Sequence, residues 1–333
     1  MARGDPVREG LARLAEVRAR PRSPESVDAL RHALASTSNV LAARAALIAG
    51  EAGLHGLVPD LESAFERFLL QPLKSDPACL AKTAIVGALA RLGDGDQTLI
   101  AACRHFQPEP TGDEPIDTAA EMRAAAIVAL AERNHPRALE LASELLADRE
   151  PRARLGAITS FRTLSSDAGA ALLRYKALRF LQRPQADSQW ETGDEIAETL
   201  ATLLVCSPGS LGLVSGLLQG EVDVAVLAAV AIGESGVRGA LEALRGGYEA
   251  RVEPRVRQAI VAAAGMLRGE DAAGFLLEVI ARAAPGLAVT ALESLARFLR
   301  DPALRPRVAA AVRDNGSREV LDAFRRLPED VQA

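Results

Sequence analysis

Rings are scarce in this sequence: aromatic residues make up 3% of 333, with a single tryptophan, Trp190. A core of this size cannot rest on ring packing, so the 49% hydrophobic share has to come mainly from Ala, Leu, Val and Ile. Small aliphatic side chains let helices approach closely, and Ala is the strongest helix former. Cysteine is equally thin. Cys79, Cys103 and Cys206 form no Cys-x-x-Cys pair. That excludes a disulfide framework and a thiolate zinc site, and it reads as reduced, buried thiols of a cytoplasmic protein. Only four histidines occur, His32, His55, His105 and His135, too scattered to supply the nitrogen ligands of a metal site. No metal or other cofactor is expected.

Long apolar runs are missing too. The longest, VAVLAAVAIG at 224–233, falls far short of the roughly 20 residues that a membrane-spanning helix needs. The opening stretch MARGDPVREGLARLAEVRAR is charged throughout and holds no apolar region of the signal-peptide kind. We expect no membrane association and a cytoplasmic location. Nor is there an excess of positive charge: 39 basic and 44 acidic residues give a net −5, against the basic footprint of a generic nucleic-acid binder. No segment rich in Val, Ile and Thr alternates with period two for long enough to suggest strands. No Ser-His-Asp, Walker or Gly-x-Gly-x-x-Gly arrangement has the context its chemistry requires. The glycine-rich GSLGLVSGLLQG at 209–220 has no strand before it and no Lys within it, so it reads as a tight helix–helix junction. No catalytic residue is expected.

What the chain has in quantity is repetition. Take MRAAAIVALA, Met122 to Ala131, as a template with apolar residues at its first, fourth, fifth, eighth and ninth positions. Matching segments start at Leu41, Ala81, Ala153, Ile196, Val224, Val256 and Leu287, at steps of 28 to 43 residues. This spacing keeps one apolar stripe on a helix. Each template runs on into a second apolar helix, as at Ala138, Leu141 and Leu145, or at Phe275, Leu276 and Ile280. Asp5-Pro6, Asp76-Pro77, Glu150-Pro151, Glu253-Pro254 and Asp301-Pro302 place an acid at the helix cap and Pro in the first turn. Thr118-Ala-Ala-Glu121 has the spacing of a capping box. Two stacked helices in every 30–40 residues or so describe an α-solenoid.

The phrase Pro-x-Val-Arg-x-x-Ala-x-x-Ala-Leu-Gly, visible in Pro151–Phe161 and Pro254–Gly265, resembles the HEAT repeat, above all its short bacterial form of the phycobilin-lyase type. The likeness covers about residues 5–327. Tetratricopeptide and ankyrin repeats fit worse, since neither Trp-x-x-Leu-Gly-x-x-Tyr nor Thr-Pro-Leu-His occurs. The resemblance implies an all-α, right-handed α-α superhelix of about nine helix pairs. It implies a single domain over 1–333, closed by a capping helix at about 316–327. HEAT repeats also carry Asp/Arg ladders between neighbours. Lys82, Arg123 and Arg154 occupy the second template position, each with an aspartate six residues upstream, Asp76, Asp117 and Asp148. The pattern stops before Arg257, where Arg251 takes the upstream place. We expect these to be surface pairs worth about 0.2–1 kcal/mol each. The phrase EPRAR at 150–154, repeated as EPRVR at 253–257, then encodes stacking and not chemistry.

Some HEAT-like folds are enzymes. Deoxyhypusine hydroxylases hold two irons through paired His-Glu dipeptides, and none of the four histidines here is followed by Glu. The motif of the HEAT-like DNA glycosylases falls on no residue of this chain, and a lyase activity rests on fold analogy alone. The signal for a partner is different. Two connections are longer than the repeat requires, HFQPEPTGDEPIDT at 105–118 and RPQADSQWETGDE at 183–195. Insertions in a short-loop fold are where function concentrates. The first holds His105, Phe106, Glu109, Asp113 and Glu114; the second holds Trp190. Between them Lys176, Arg179 and Arg183 fall within about 60° of one another on a helix, beside Tyr175. By resemblance that second helix lines the concave face.

We therefore expect a non-enzymatic scaffold or adaptor whose recognition surface comprises these residues and takes another protein or a peptide. The alternative from another class is a nucleic-acid-binding or DNA-repair protein using the basic stripe at 174–183. A lyase-type enzyme is the third reading.

Overall fold

The structure, a computed structural model, describes residues 5–327 except 111, 113, 182–191, 268, 297 and 299–302. It is all-helical apart from one short hairpin, with 20 α-helices among the described residues. The chain divides into two compact units, Met1–Leu164 and Ser165–Ala333.

The first unit contains α1 (Pro6–Val17), α2 (Pro24–Leu34), α3 (Asn39–Glu51), α4 (Val58–Leu69), α5 (Pro72–Ser75), α6 (Leu80–Leu92) and α7 (Asp96–Cys103). A two-stranded hairpin follows, β1 (Pro108–Pro110) and β2 (Pro115–Asp117), then α8 (Ala120–Glu132), α9 (Ala138–Leu145) and α10 (Pro151–Leu164). The template helices α3, α6, α8 and α10 pack each on the next, and α1 packs on α3. Their partners α2, α4, α7 and α9 cover the other side, α7 against α8 and α9 against α10. The second unit repeats the plan. It runs through α11 (Asp167–Leu181), α12 (Gly193–Cys206), α13 (Leu211–Gly216), α14 (Val222–Ser235) and α15 (Ala240–Ala250). It continues through α16 (Pro254–Ala264), α17 (Glu270–Arg282), α18 (Pro285–Ala296), α19 (Leu304–Asn315) and α20 (Arg318–Arg326). Here α12, α14, α16, α18 and α20 form the successive row, with α11, α13, α15 and α17 packed beside it.

The periodicity predicts the core correctly. The fifth template position (Ala45, Ile85, Ala126, Ala157, Leu200, Ala228, Ile260 and Ala291) is fully buried in every repeat. So is the ninth (Ala49, Leu89, Leu130, Phe161, Leu204, Ile232, Ala264 and Leu295). Small residues set the helix spacing: a Cβ on Gly156 of α10 would lie 2.5 Å from the Cα of Ala124 in α8. Helix ends are finished from the neighbouring repeat. Arg67 donates to the carbonyls of Leu34 and Ser36 at the end of α2, Arg133 to Leu89 and Asp94 at the end of α6, and Asn315 to Ile280 and Ala283 at the end of α17. Carbonyls in the last turn of a helix are short of intrahelical donors, and the two guanidiniums sit at the negative end of a helix dipole.

The repeated phrase can be read residue by residue. Glu253 caps α16, its carboxylate accepting from the Val256 N–H at 2.7 Å, and Pro254 opens the helix. The first arginine pairs with an acid on the preceding template helix: Arg152 Nη2 donates to Glu121 at 2.9 Å, and Arg255 Nη2 to Asp223 at 3.0 Å. The second turns back to carbonyls at the end of the preceding partner helix. Arg154 donates to Asp148 and Arg149, and Arg257 to Tyr248 and Arg251.

Four expectations need correction. The insertion at 105–118 is not strand-free, because Glu109 pairs with Ile116 between two three-residue antiparallel strands. Thr118 forms no capping box on α8, which has no side-chain cap; its hydroxyl faces the hairpin instead. The box forms at Thr192 and Glu195, so Gly193–Glu195 belong to α12 and not to a loop. The glycine-rich stretch at 209–220 is not a junction but α13 itself, flanked by 3-10 turns. Asp301-Pro302 lies outside the described residues.

Candidate functional site

The ladder residues meet in the first unit, and they are not on the surface. Lys82 Nζ lies 2.9 Å from Asp76 Oδ2 with both side chains fully buried. The Asp76 carboxylate also accepts the Ala81 and Lys82 amides, so it caps α6 from four residues before the helix. Arg123 is fully buried between two aspartates, Asp117 at 2.7 Å and Asp148 at 2.8 Å, and donates to the His105 carbonyl as well. The expected exposed pairs are therefore interior ones, a different energetic class in which removing one partner is costly.

The hairpin sits over this ladder. Gln107 is buried and donates to the Asp76 carbonyl at 2.8 Å. Glu109 Oε1 accepts three hydrogen bonds, from the Ala78 amide at 2.7 Å, Gln107 Nε2 at 2.7 Å and the Thr118 hydroxyl at 2.8 Å. Burial pushes the Glu109 carboxyl up, but these three donors together outweigh it and hold the group below its usual range. His105 is half-buried beside Gln107, and desolvation lowers its imidazole pKa. Phe106 lies over the Arg123 guanidinium, 4.2 Å from ring centroid to Cζ, yet remains 57% exposed. Ile116 on the facing strand is 55% exposed. Around the Asp76–Cys79 turn that the hairpin contacts, Leu70, Leu73 and Leu80 are 80%, 52% and 43% exposed.

Of the residues singled out in this insertion, His105 and Glu109 are thus fasteners, Phe106 offers its ring to solvent, and Glu114 is exposed. Asp113 lies outside the described residues. Leu73, Leu80 and Ile116 escaped the sequence reading, because a lone aliphatic residue outside the repeat template carries no pattern.

In the second unit α11 turns Tyr175 and Arg179 outward, with Arg174 and Leu178. Lys176 is not part of that exposed face. It is buried and pairs with the fully buried Glu195 at 3.4 Å. Leu173, Ala177 and Phe180 are the buried residues of α11 around it, so helical spacing carries Lys176 inward with them. Arg183 and Trp190 lie outside the described residues. Cys79 and Cys103 are buried thiols pushed up to about 11 and about 12 by burial; Cys206 is only partly buried.

Among the described residues no three His, Cys, Asp or Glu side chains group as metal ligands, and no helix is long and apolar enough to cross a membrane. The fold defines a class: a helical protein whose many helices pack on their neighbours, consistent with a helical-repeat solenoid. No protein-family model matches the chain, and no curated protein does.

Proposed function

We propose that the chain is a HEAT-like scaffold or adaptor that binds another protein or a peptide and has no enzymatic activity of its own. The same reading takes the helix pairs, about nine of them, as HEAT-like repeats with right-handed stacking within each unit. The observation that carries it is the exposure of Phe106 and Ile116 on the hairpin and of Leu73 and Leu80 on either side, in sequence, of the 76–79 turn that the hairpin contacts. Exposed large apolar groups that gather on one surface mark interaction sites, and an aromatic ring held at the surface is a natural anchor. Pro108, Pro110 and Pro115 remove backbone donors from both strands, so the hairpin is a poor template for strand addition. Recognition then falls to side chains. The nucleic-acid alternative loses Lys176 from its stripe, because that ammonium is spent on Glu195.

The test places a photo-crosslinking residue at Ile116 and, as control, at the exposed Glu249 of α15. A protein captured from native extract at position 116 and not at 249 is identified, and its affinity is measured directly. Phe106→Ala and Ile116→Asp should each weaken that affinity about tenfold, as loss of an interface anchor does. Equal capture at both positions, or unchanged affinity, removes the reading.

A further inference from the structure

The hairpin is fastened by polar atoms rather than by a core. Its large apolar side chains, Phe106 and Ile116, face solvent, and of its described residues before Ala119 only Gln107 is buried. Two three-residue strands do not stabilise themselves in water. Beneath it lie two consecutive non-glycine residues in the left-handed region, Ala78 (φ 59°, ψ 17°) and Cys79 (φ 52°, ψ 29°). That region is sterically disfavoured for both side chains, so the turn must be held from outside. The hairpin holds it through Glu109 on the Ala78 amide and Gln107 on the Asp76 carbonyl, and Asn39 of α3 adds bonds to the Asp76 carboxylate and the Pro77 carbonyl. Cys79 is fully buried under the turn, its Sγ 3.9 Å from Met122 Sδ.

We infer that the hairpin arms, 107–110 and 115–118, form a strap that opens locally, with Glu109 as its clasp and Asp117, which stays paired with Arg123, as its fixed end. When Glu109 releases the Ala78 amide, the 76–79 turn relaxes out of the left-handed region and uncovers the Cys79 thiol, while α6 and α8 stay folded. Segments with few buried apolar contacts are the ones that open below the global unfolding threshold, and strain stored in the turn favours the open form. Of the proposed docking surface Ile116 rides on the strap and Phe106 adjoins it, so an occupant there would bias the opening by linkage. That last step rests on the proposed function; the opening itself does not.

The experiment is alkylation of the native full-length chain by iodoacetamide, with each cysteine read separately by peptide mapping. Both Cys79 and Cys103 are buried, so reactivity at either reports opening. In the unmodified chain Cys79 should react at least about tenfold faster than Cys103. Glu109→Ala should raise the Cys79 rate by a further factor of about ten and leave Cys103 unchanged, whereas Glu109→Gln, which keeps an acceptor oxygen, should stay within about threefold of the unmodified chain. Equal rates at the two cysteines in the unmodified chain overturn the inference even if a variant fails to fold. A Cys79 rate indifferent to Glu109→Ala overturns it as well.

Discussion

At the scale of single residues the decisive feature is charge buried in pairs. Arg123 is closed off from solvent with Asp117 and Asp148 as its carboxylate partners. Replacing it by Met would keep much of the volume and leave the buried Asp148 and the largely covered Asp117 without their cation. Uncompensated buried charge costs about 3–5 kcal/mol, so Arg123→Met should lose that much stability in urea unfolding. Arg31, half-exposed between Asp28 and Asp60, provides the contrast: Arg31→Met should change stability by less than about 1 kcal/mol. Glu109 gives a pH dependence of definite sign. Its folded pKa lies below the unfolded value of 4.5. Its contribution is therefore complete above that value and fades as pH falls through the folded pKa. The stability difference between the unmodified chain and Glu109→Gln should be constant near neutral pH and shrink below 4.5. A carboxyl-carbon NMR titration of Glu109 checks the same point, and a midpoint above 4.5 would contradict it.

At the scale of elements the question is how closely one helix can lie on the next. Gly156 meets the backbone of Ala124, so Gly156→Ala must push α10 away from α8 at a cost of about 1–3 kcal/mol. Gly87 in α6 has open space where its Cβ would stand. Gly87→Ala should therefore stabilise the protein by roughly 0.5–1 kcal/mol through helix propensity alone. Thermal melts of the two variants should move in opposite directions. This level was the most legible in the sequence, because burial at the fifth and ninth template positions follows from period 3.6 without knowledge of any partner. Local chemistry read less well. Thr192 and Glu195 carry the same Thr-x-x-Glu spacing as Thr118 and Glu121, and only the hairpin, which takes the Thr118 hydroxyl, decides between them. Lys176 was readable in principle, three residues after Leu173 and four before Phe180, but its charge suggested the surface. The hairpin was beyond the method, since three-residue strands rich in proline show no alternation.

At the scale of the whole molecule, the first unit has what an independent fold requires. Its two rows of helices supply a core from Leu14 to Phe161, and its ladder pairs, Lys82 with Asp76 and Arg123 with Asp117 and Asp148, have both members inside it. The same is true of its carbonyl caps from Arg67 and Arg133. At this length a chain buries enough surface to fold alone. A fragment of residues 1–164 should therefore be helical by circular dichroism and unfold in one cooperative urea transition. The sharper check uses the ladder as a reporter. If the fragment reaches the native arrangement, Arg123→Met must cost it the same 3–5 kcal/mol or so that it costs the full chain, because the penalty arises from two carboxylates enclosed within this unit. Helicity without that penalty would mean that the fragment forms its helices but not the buried ladder, and that the unit needs the rest of the chain to close.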